Sequence, residues 1–484
     1  MRAPAKKQKR KAPAPGLSAR INAHVHLQAQ ADGNVTASFD EFSLPLGKYS
    51  IDALKRAQGI GTGLPLASFS SAKLVDREIA LLVERLARTG LLEYRFGTPA
   101  KDLAIIEPQV AGYWPQVTKC GVSDTIVLSR FAYLRRRGND MVLESPRSAA
   151  LFRICDPGIA SFLATLSSPQ KIGELRRQPR FPGLELLGLL LDCDILFKVG
   201  KTDGSRPSEG DDKLVVWDFH DLLFHTRSTE GRQSSPIGGR YAHVDTIAPP
   251  PAVRAPWRGD AIDLQQFAEA AEPSSFVKLL RERHSTRDFD EAQPITLGEL
   301  ARFLENAARV QSTWTEPIDF GEGDVGPEIS YTRRPYPSAG SAYELELYLA
   351  VSACEGLPRG FYHYDAARHA LVPIPADEQA IAMQFEAAQF AMDAPMAPPI
   401  LFTIAARFDR VSWKYSAIAY SLILRDVGVL LQTLYLTATD MNLGGCAIGT
   451  GNIELFARMT GQDFHREGPV GQFALGRGRQ VGGD

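Results

Sequence analysis

Cysteine is scarce in this chain, with five in 484 residues. Cys120, Cys155, Cys193, Cys354 and Cys446 are odd in number and widely spaced, and none forms a CxxC pair. That pattern supports neither a zinc ribbon nor a disulfide scaffold, and a reducing cytoplasm suits it best. Excess charge is lacking too: 54 Lys and Arg against 56 Asp and Glu leave a net −2. No global field draws such a chain to nucleic acid or to a membrane. No run of about eighteen apolar residues occurs, so no membrane-spanning segment is expected. The one local charge run, Lys6, Lys7, Lys9, Arg10 and Lys11, is followed by Ala-Pro-Ala-Pro and not by an apolar stretch. It reads as a disordered basic tail over 1–18, not as a secretory signal.

What is present is ordinary globular composition, 44% hydrophobic and 23% charged, over a length that suggests two to four domains. A linker is expected over 233–262, where Ser234, Ser235, Pro236, Gly238, Gly239 and Pro249-Pro250-Pro251 interrupt all periodicity. Residues 263–484 then form one domain. The N-terminal part divides into units 19–122 and 123–232, and these look related. RLARTGLLEY (85–94) and LLLDCDILFK (189–198) each end an amphipathic helix, break, and resume with an apolar pair. Leu86 matches Leu190, Gly90 matches Asp194, and Leu91-Leu92 match Ile195-Leu196. Gly and Asp both tolerate the left-handed conformation that closes a helix. Helix, tight stop and strand is the order in which a winged-helix module enters its wing. No basic recognition helix stands out, so a peptide partner suits these units better than DNA. His220 and His225, five residues apart, fall on different faces and suit a structural or interface role better than a metal site.

Four segments of the C-terminal part carry chemistry. A capped amphipathic helix ends near Arg281 and runs into Arg283-His284-Ser285-Thr286-Arg287. Guanidinium forks and hydroxyls are what a terminal phosphate needs, although a solvated surface loop has the same composition. Near the C-terminus a short apolar strand leads into Gly476-Arg477-Gly478-Arg479, a second basic loop that could close on the same anion. Pro337-Ser338-Ala339-Gly340-Ser341 precedes an alternating strand, Tyr343 to Ala350. These small residues are either a plain turn or a place where something flat lies against the backbone. Residues 412–437 read as one helix whose stripe holds Lys414, Ile418, Ser421 and Arg425. The two cations either snorkel from a buried helix, with Asp426 as a partner for either, or Lys414 with Tyr415 handles a proton. After Asn442 comes LGGCAIGTG, whose glycines admit a ring edge to the backbone. It lacks the strand-first GxGxxG order of a dinucleotide fold. The acidic, Gly-rich stretch 311–330 has no reading.

Together, RHSTRDF, PSAGSAYELELYL, the WKY segment with its Arg, LGGCAIGTG and LGRGR resemble the FMN-dependent nitroreductase superfamily. Within it they look like the SagB/ThcOx-type (McbC-like) azoline oxidases of thiazole/oxazole-modified peptide biosynthesis. The resemblance covers 263–484, and the upstream WDFHDLLFHTRSTEGR is also similar to that subfamily. It implies an α+β fold with a mostly antiparallel sheet flanked by helices, preceded by two winged-helix-like units that clamp the leader of a precursor peptide. It implies a homodimer with FMN at the interface. Arg283, His284, Ser285 and Arg287 would hold the flavin phosphate, ribityl chain and ring edge, and Arg477 and Arg479 would close the phosphate site. Pro337, Ser338, Ala339 and Gly340 would pack on the partner's isoalloxazine, and the Gly445 and Cys446 backbone would address N5. Lys414 and Tyr415 match the family's catalytic pair; no metal is implied.

The implied reaction is oxidation of a peptidic thiazoline or oxazoline to the azole: a base removes the Cα proton and a hydride leaves Cβ. A cyclodehydratase complex is the implied partner, with no nucleic acid and no membrane. Two other readings remain open. One is an NAD(P)H-fed reductase of small electrophiles; the other is a flavin-bearing scaffold that recruits the leader peptide without redox chemistry.

Overall fold

A computed structural model describes residues 15–39, 42–66, 73–200, 209, 211–232, 238–239, 241, 243–268, 272–321 and 325–479. The basic tail expected over 1–18 lies outside them up to residue 14, as do parts of the 233–262 linker. The chain divides into two units, 1–227 with 231–235, and 228–230 with 236–484.

In the first unit the helix stop that the two ten-residue segments share is repeated atom for atom. Leu86 lies in the last turn of the helix Leu74–Arg88, and its carbonyl accepts from Leu91 N–H at 2.9 Å across Gly90, which sits at φ +69°. Leu190, in the helix Leu184–Asp192, accepts from Ile195 N–H at 3.0 Å across Asp194, at φ +53°. A six-to-one bond over a left-handed residue satisfies an orphan carbonyl of the last turn. The correspondence extends to strand order. The strand Gly16–Ile21 lies between the short strand Leu64–Pro65 and the strand Leu92–Thr98, antiparallel to both. The strand Thr125–Leu128 lies in the same way between Gln170–Lys171 and Leu196–Lys198. Beyond this shared pattern the surroundings of the two segments differ. The strand Leu92–Thr98 pairs onward with Lys101–Pro108, and the sheet continues through Ala150–Ile154, Asp140–Glu144 and Tyr133–Arg137 to seven strands. One sheet therefore crosses residue 122, and one core joins Leu82, Leu86 and Phe96 to Phe152, Leu187 and Leu190. His225 is fully buried against Trp217, ring centroids 5.8 Å apart, whereas His220 is exposed beside Asp218.

The second unit is built on a six-stranded, wholly antiparallel sheet. Its order is Ala370–Ile374, Gly360–Asp365, Leu345–Val351, Ile400–Arg407, Glu467–Gly476 and Gly444–Ile448. The helices Glu378–Met392 and Ile453–Thr460 cover one face, packing Phe385, Met392 and Phe456 on Tyr348, Leu401 and Ala474. The helices Leu297–Ala308 and Ala419–Asp440 belong to the other, where Phe303 meets Phe402 at 5.7 Å. This is the α+β fold, an antiparallel sheet flanked by helices, that the sequence motifs imply. Coverage on both sides explains why Leu345–Val351 is buried along nearly its whole length. A strand with two packed faces needs apolar residues on both.

One feature departs from expectation, and one unread stretch gains a structure. The helix expected over 412–437 is two helices, Phe408–Ser412 and Ala419–Asp440. Lys414 N–H and Tyr415 N–H both bond the Val411 carbonyl and end the first. Ala417, at φ +62°, then turns the chain into the second. The stripe of Lys414, Ile418, Ser421 and Arg425 therefore does not exist: Lys414 lies in the turn, and the apolar residues flanking it masked the break. Ala419–Asp440 is, among the described residues, long and apolar enough to cross a membrane by length and composition. Here it lies against the unit's own strands Gly444–Ile448 and Glu467–Gly476, with Ile423, Leu430 and Leu434 fully buried. In the stretch 311–330 the described residues pair as two largely exposed strands, Ser312–Asp319 with Val325–Arg333, braced by Trp314 stacked on Tyr331 at 5.5 Å.

Candidate active site

The basic loop and the C-terminal basic loop are laced together, as their composition suggests. Ser274 caps the helix Ser275–Glu282, accepting from Val277 N–H, and the chain leaves the helix at Arg283. Thr286 N–H then donates to Gly445 O at 2.8 Å, Asp290 N–H to Arg477 O at 2.8 Å, and Arg479 N–H to Asp288 O at 3.1 Å. The loop is threaded between an edge strand and the chain end. Glycine is needed at 444 for this reason, since an added Cβ would stand 2.6 Å from Thr286, and at 445 because one would stand 2.3 Å from Phe473 of the neighbouring strand.

The four arginines then separate into two kinds. Arg477 binds Glu299 with both carboxylate oxygens, at 2.8 and 3.0 Å, and Arg479 lies 3.7 Å from Asp288. Both serve the protein's own carboxylates. Arg283 is half-buried with its guanidinium over the Tyr435 ring at 5.2 Å, and Arg287 is exposed. Among the described residues neither has an ion-pair partner, so these two are the cations left for an anionic ligand. His284 Nδ1 lies 2.9 Å from the Glu282 carbonyl. Ser285 Oγ is 2.8 Å from the Tyr435 hydroxyl, which also accepts from Ala447 N–H at 2.7 Å. Tyr435 thus ties the basic loop to the glycine strand. Sequence reading passed over it, since one Tyr on an apolar helix carries no signal. Gly445 and Cys446 lie in the strand Gly444–Ile448, paired with Leu475 and Ala474. Cys446 is buried, and that burial pushes its thiol up.

A second cluster forms around the small-residue segment. Ser338 Oγ and Ala339 N–H both donate to Asp426 Oδ2, at 2.9 and 2.8 Å. Asp426 therefore serves this segment and not Lys414 or Arg425. Gly340 adopts φ +55°. A Cβ there would stand 2.5 Å from the Tyr415 hydroxyl and 2.8 Å from Lys414 Nζ, so both expected catalytic groups converge on this glycine. Lys414 Nζ also lies 5.5 Å from the centroid of the Tyr415 ring. Beside them opens a cleft of about 320 Å³, walled by Ile329, Tyr331, Arg410 and Trp413 and floored by Gly340 and Lys414. The hairpin forms one side, held by Arg410, which donates to Ser330 O at 3.2 Å and Ala342 O at 2.9 Å. Pro337 and Gly340 are exposed. Asp426 and Tyr435 lie nine residues apart on one helix, ~13 Å along its axis. The two clusters are therefore separate within one chain.

Residues 280–477 match the nitroreductase family, and residues 126–234 match the cyanobactin oxidase ThcOx. The putative nitroreductase MJ1384 of Methanocaldococcus jannaschii is 28% identical over 191 residues, 40% of this chain and 85% of that protein. A chain of the E. coli microcin synthetase McbBCD complex, solved with truncated pro-MccB17 bound, is 18% identical, covering 56% of this chain and 97% of that one at a TM-score of 0.39. The two matches follow one another along the chain, a segment similar to the cyanobactin oxidase ThcOx and then one similar to the nitroreductase family of oxidoreductases.

Proposed function

We propose that the protein is an FMN-dependent azoline oxidase that converts thiazolines or oxazolines in a ribosomally made precursor peptide to thiazoles or oxazoles. The observation that carries this reading is the convergence of Lys414 Nζ and the Tyr415 hydroxyl on Gly340, beside the hairpin cleft. A nitroreductase-type domain with a proton-handling pair beside a cleft suits removal of a Cα proton. The ThcOx match upstream suits a modified peptide as substrate.

The residues present fit FMN. Arg283 and Arg287 have no ion-pair partner among the described residues, and the Ser285 hydroxyl lies between them in sequence. That is a donor set for a terminal phosphate. FMN, when bound, supplies the hydride acceptor. Lys414 or Tyr415 takes the Cα proton, and the other orients the azoline nitrogen. Ser338, Ala339 and Gly340 present little side chain at the surface, so a partner copy's flavin could lie against their backbone. A homodimer would bring together the basic-loop and small-residue clusters that are separate in one chain. The duplicated helix–stop–strand modules of the first unit would grip the leader, and a cyclodehydratase that makes the azoline would act beforehand. The free cysteines agree with work in the cytoplasm.

The test uses the FMN-loaded protein and an azoline-bearing leader–core peptide, and mass spectrometry reads loss of two hydrogens per ring. Lys414→Ala should retain FMN and lose about 10²–10⁴-fold in azole formation. Tyr415→Phe should lose less if Tyr415 only orients, and as much if it is the base. Stoichiometric reduction of the bound flavin by NADPH, with no azole formed from the peptide, would replace this reading by that of a small-molecule reductase.

A further inference from the structure

Beneath the small-residue segment lies a carboxylate that the reaction does not use. Glu344 is fully buried, and Asp426 is 7% exposed. Both adjoin Ser338 Oγ: Asp426 Oδ2 at 2.9 Å and Glu344 Oε2 at 3.2 Å. The Ser338 hydroxyl also accepts from Tyr343 N–H at 2.9 Å. A hydroxyl has one proton to give. If that proton goes to Asp426, the nearer oxygen, the Glu344 contact is a hydrogen bond only when Glu344 is itself the donor. The geometry therefore asks for one proton on a two-carboxylate cluster, as like charges brought together and desolvated require.

We propose that Glu344 and Asp426 are positioning residues that share one proton, and that this shared proton holds Ser338–Gly340 where Gly340 meets Lys414 and Tyr415. The proposal rests on the reading of Lys414 and Tyr415 as the proton-handling pair. Burial first, and then the Asp426 charge, push the Glu344 carboxyl up to about 7. The surrounding charged and titratable groups are Arg334, Tyr336 and Tyr343 on the segment before the strand, Glu346 within it, Asp426 on the long helix, Arg407 just before the short one and Arg410 within it. Arg334 and Arg410 direct guanidinium hydrogens at the Leu345 and Ala342 carbonyls, not at Glu344.

Glu344 keeps its proton in the folded protein at pH values where the unfolded chain, with an ordinary carboxyl near 4.5, has lost it. Its contribution to stability is therefore complete below the unfolded value and is lost as pH rises toward about 7. Ionisation at that point loads the pair with two negative charges and frees the Ser338 segment.

The experiment tracks melting temperature and azole-forming rate against pH for the full-length FMN-loaded protein, Glu344→Gln and Asp426→Asn. Glutamine keeps a donor and cannot ionise. The parent should lose melting temperature between about pH 4.5 and 7, and lose kcat at least about tenfold above that range with FMN retained. Glu344→Gln should make the melting-temperature decline shallower, leaving the part due to other buried carboxylates such as Glu467 and Glu230, and should flatten the rate curve. Asp426→Asn removes the neighbouring charge and should move the melting-temperature decline to lower pH. A Glu344→Gln protein whose melting decline is as steep as the parent's, and whose rate still falls, overturns the proposal. So does an Asp426→Asn decline that does not move, which decides the matter even if Glu344→Gln fails to fold. The melting curves need no substrate. A parent that makes no azole yet shows these shifts sinks the oxidase reading and leaves the shared proton standing.

Discussion

Gly340→Ala separates folding from chemistry more cleanly than any other single change. Gly340 is at φ +55°, where an L side chain is crowded by the following carbonyl, at a cost of about 1–2 kcal/mol. For a unit of this size that corresponds to a fall of roughly 2–8 °C in melting temperature. The added methyl would also stand 2.5 Å from the Tyr415 hydroxyl and 2.8 Å from Lys414 Nζ, where ordinary contact begins at 3.4 Å. Both atoms are tips of flexible side chains, so each retreats by roughly 0.6–0.9 Å and the fold absorbs the change. Chemistry does not absorb it: misplacement of a reacting group by about 1 Å can cost about 10²-fold. The expected result is a yellow, folded protein with a modest drop in melting temperature and a kcat lower by about two orders of magnitude. Flavin absorbance, thermal melting and mass-spectrometric turnover measure the three terms separately. A variant that turns over at the parent rate with the expected drop in melting temperature would show that Lys414 and Tyr415 are not constrained at Gly340, and the placement of the site there would fall.

Arg283→Ala and Arg287→Ala should each weaken FMN binding by about 1.5–3 kcal/mol, roughly tenfold to a hundredfold, in fluorescence titrations. Arg477→Ala should instead lower thermal stability, because it strips Glu299 of its bidentate partner, and should change FMN affinity less. Equal losses of affinity in all three would refute the division of the arginines. Tyr435→Phe removes the acceptor of Ala447 N–H and the partner of Ser285 Oγ. It should cost about 1–3 kcal/mol of stability in a denaturant titration, the penalty for a half-buried donor left unmade, and loosen FMN through the freed Ser285.

Local chemistry was legible in the sequence wherever one short segment carries its own cause. The stops at Gly90 and Asp194 come from residues that tolerate the left-handed region, and the structure repeats them with the same six-to-one bond. The glycines at 444 and 476 were legible in the sequence, but not that the 283–290 loop is what approaches them, through Thr286 and Phe289. The helix break at Ala417 was not legible, because Trp413 to Ile418 fit helical periodicity and only the long-range seating of Lys414 and Tyr415 against Gly340 selects the turn. Nor were the partners of the charges. Arg477 looked like Arg283 until Glu299, 178 residues away, claimed it. Asp426 looked like a counter-ion for its own helix until Ser338 and Ala339, 88 and 87 residues away, met it. Propensity and caps act over a few residues and can be read one stretch at a time. Which charge is spent on the fold and which is left for a ligand depends on distances that exist only once the chain has folded.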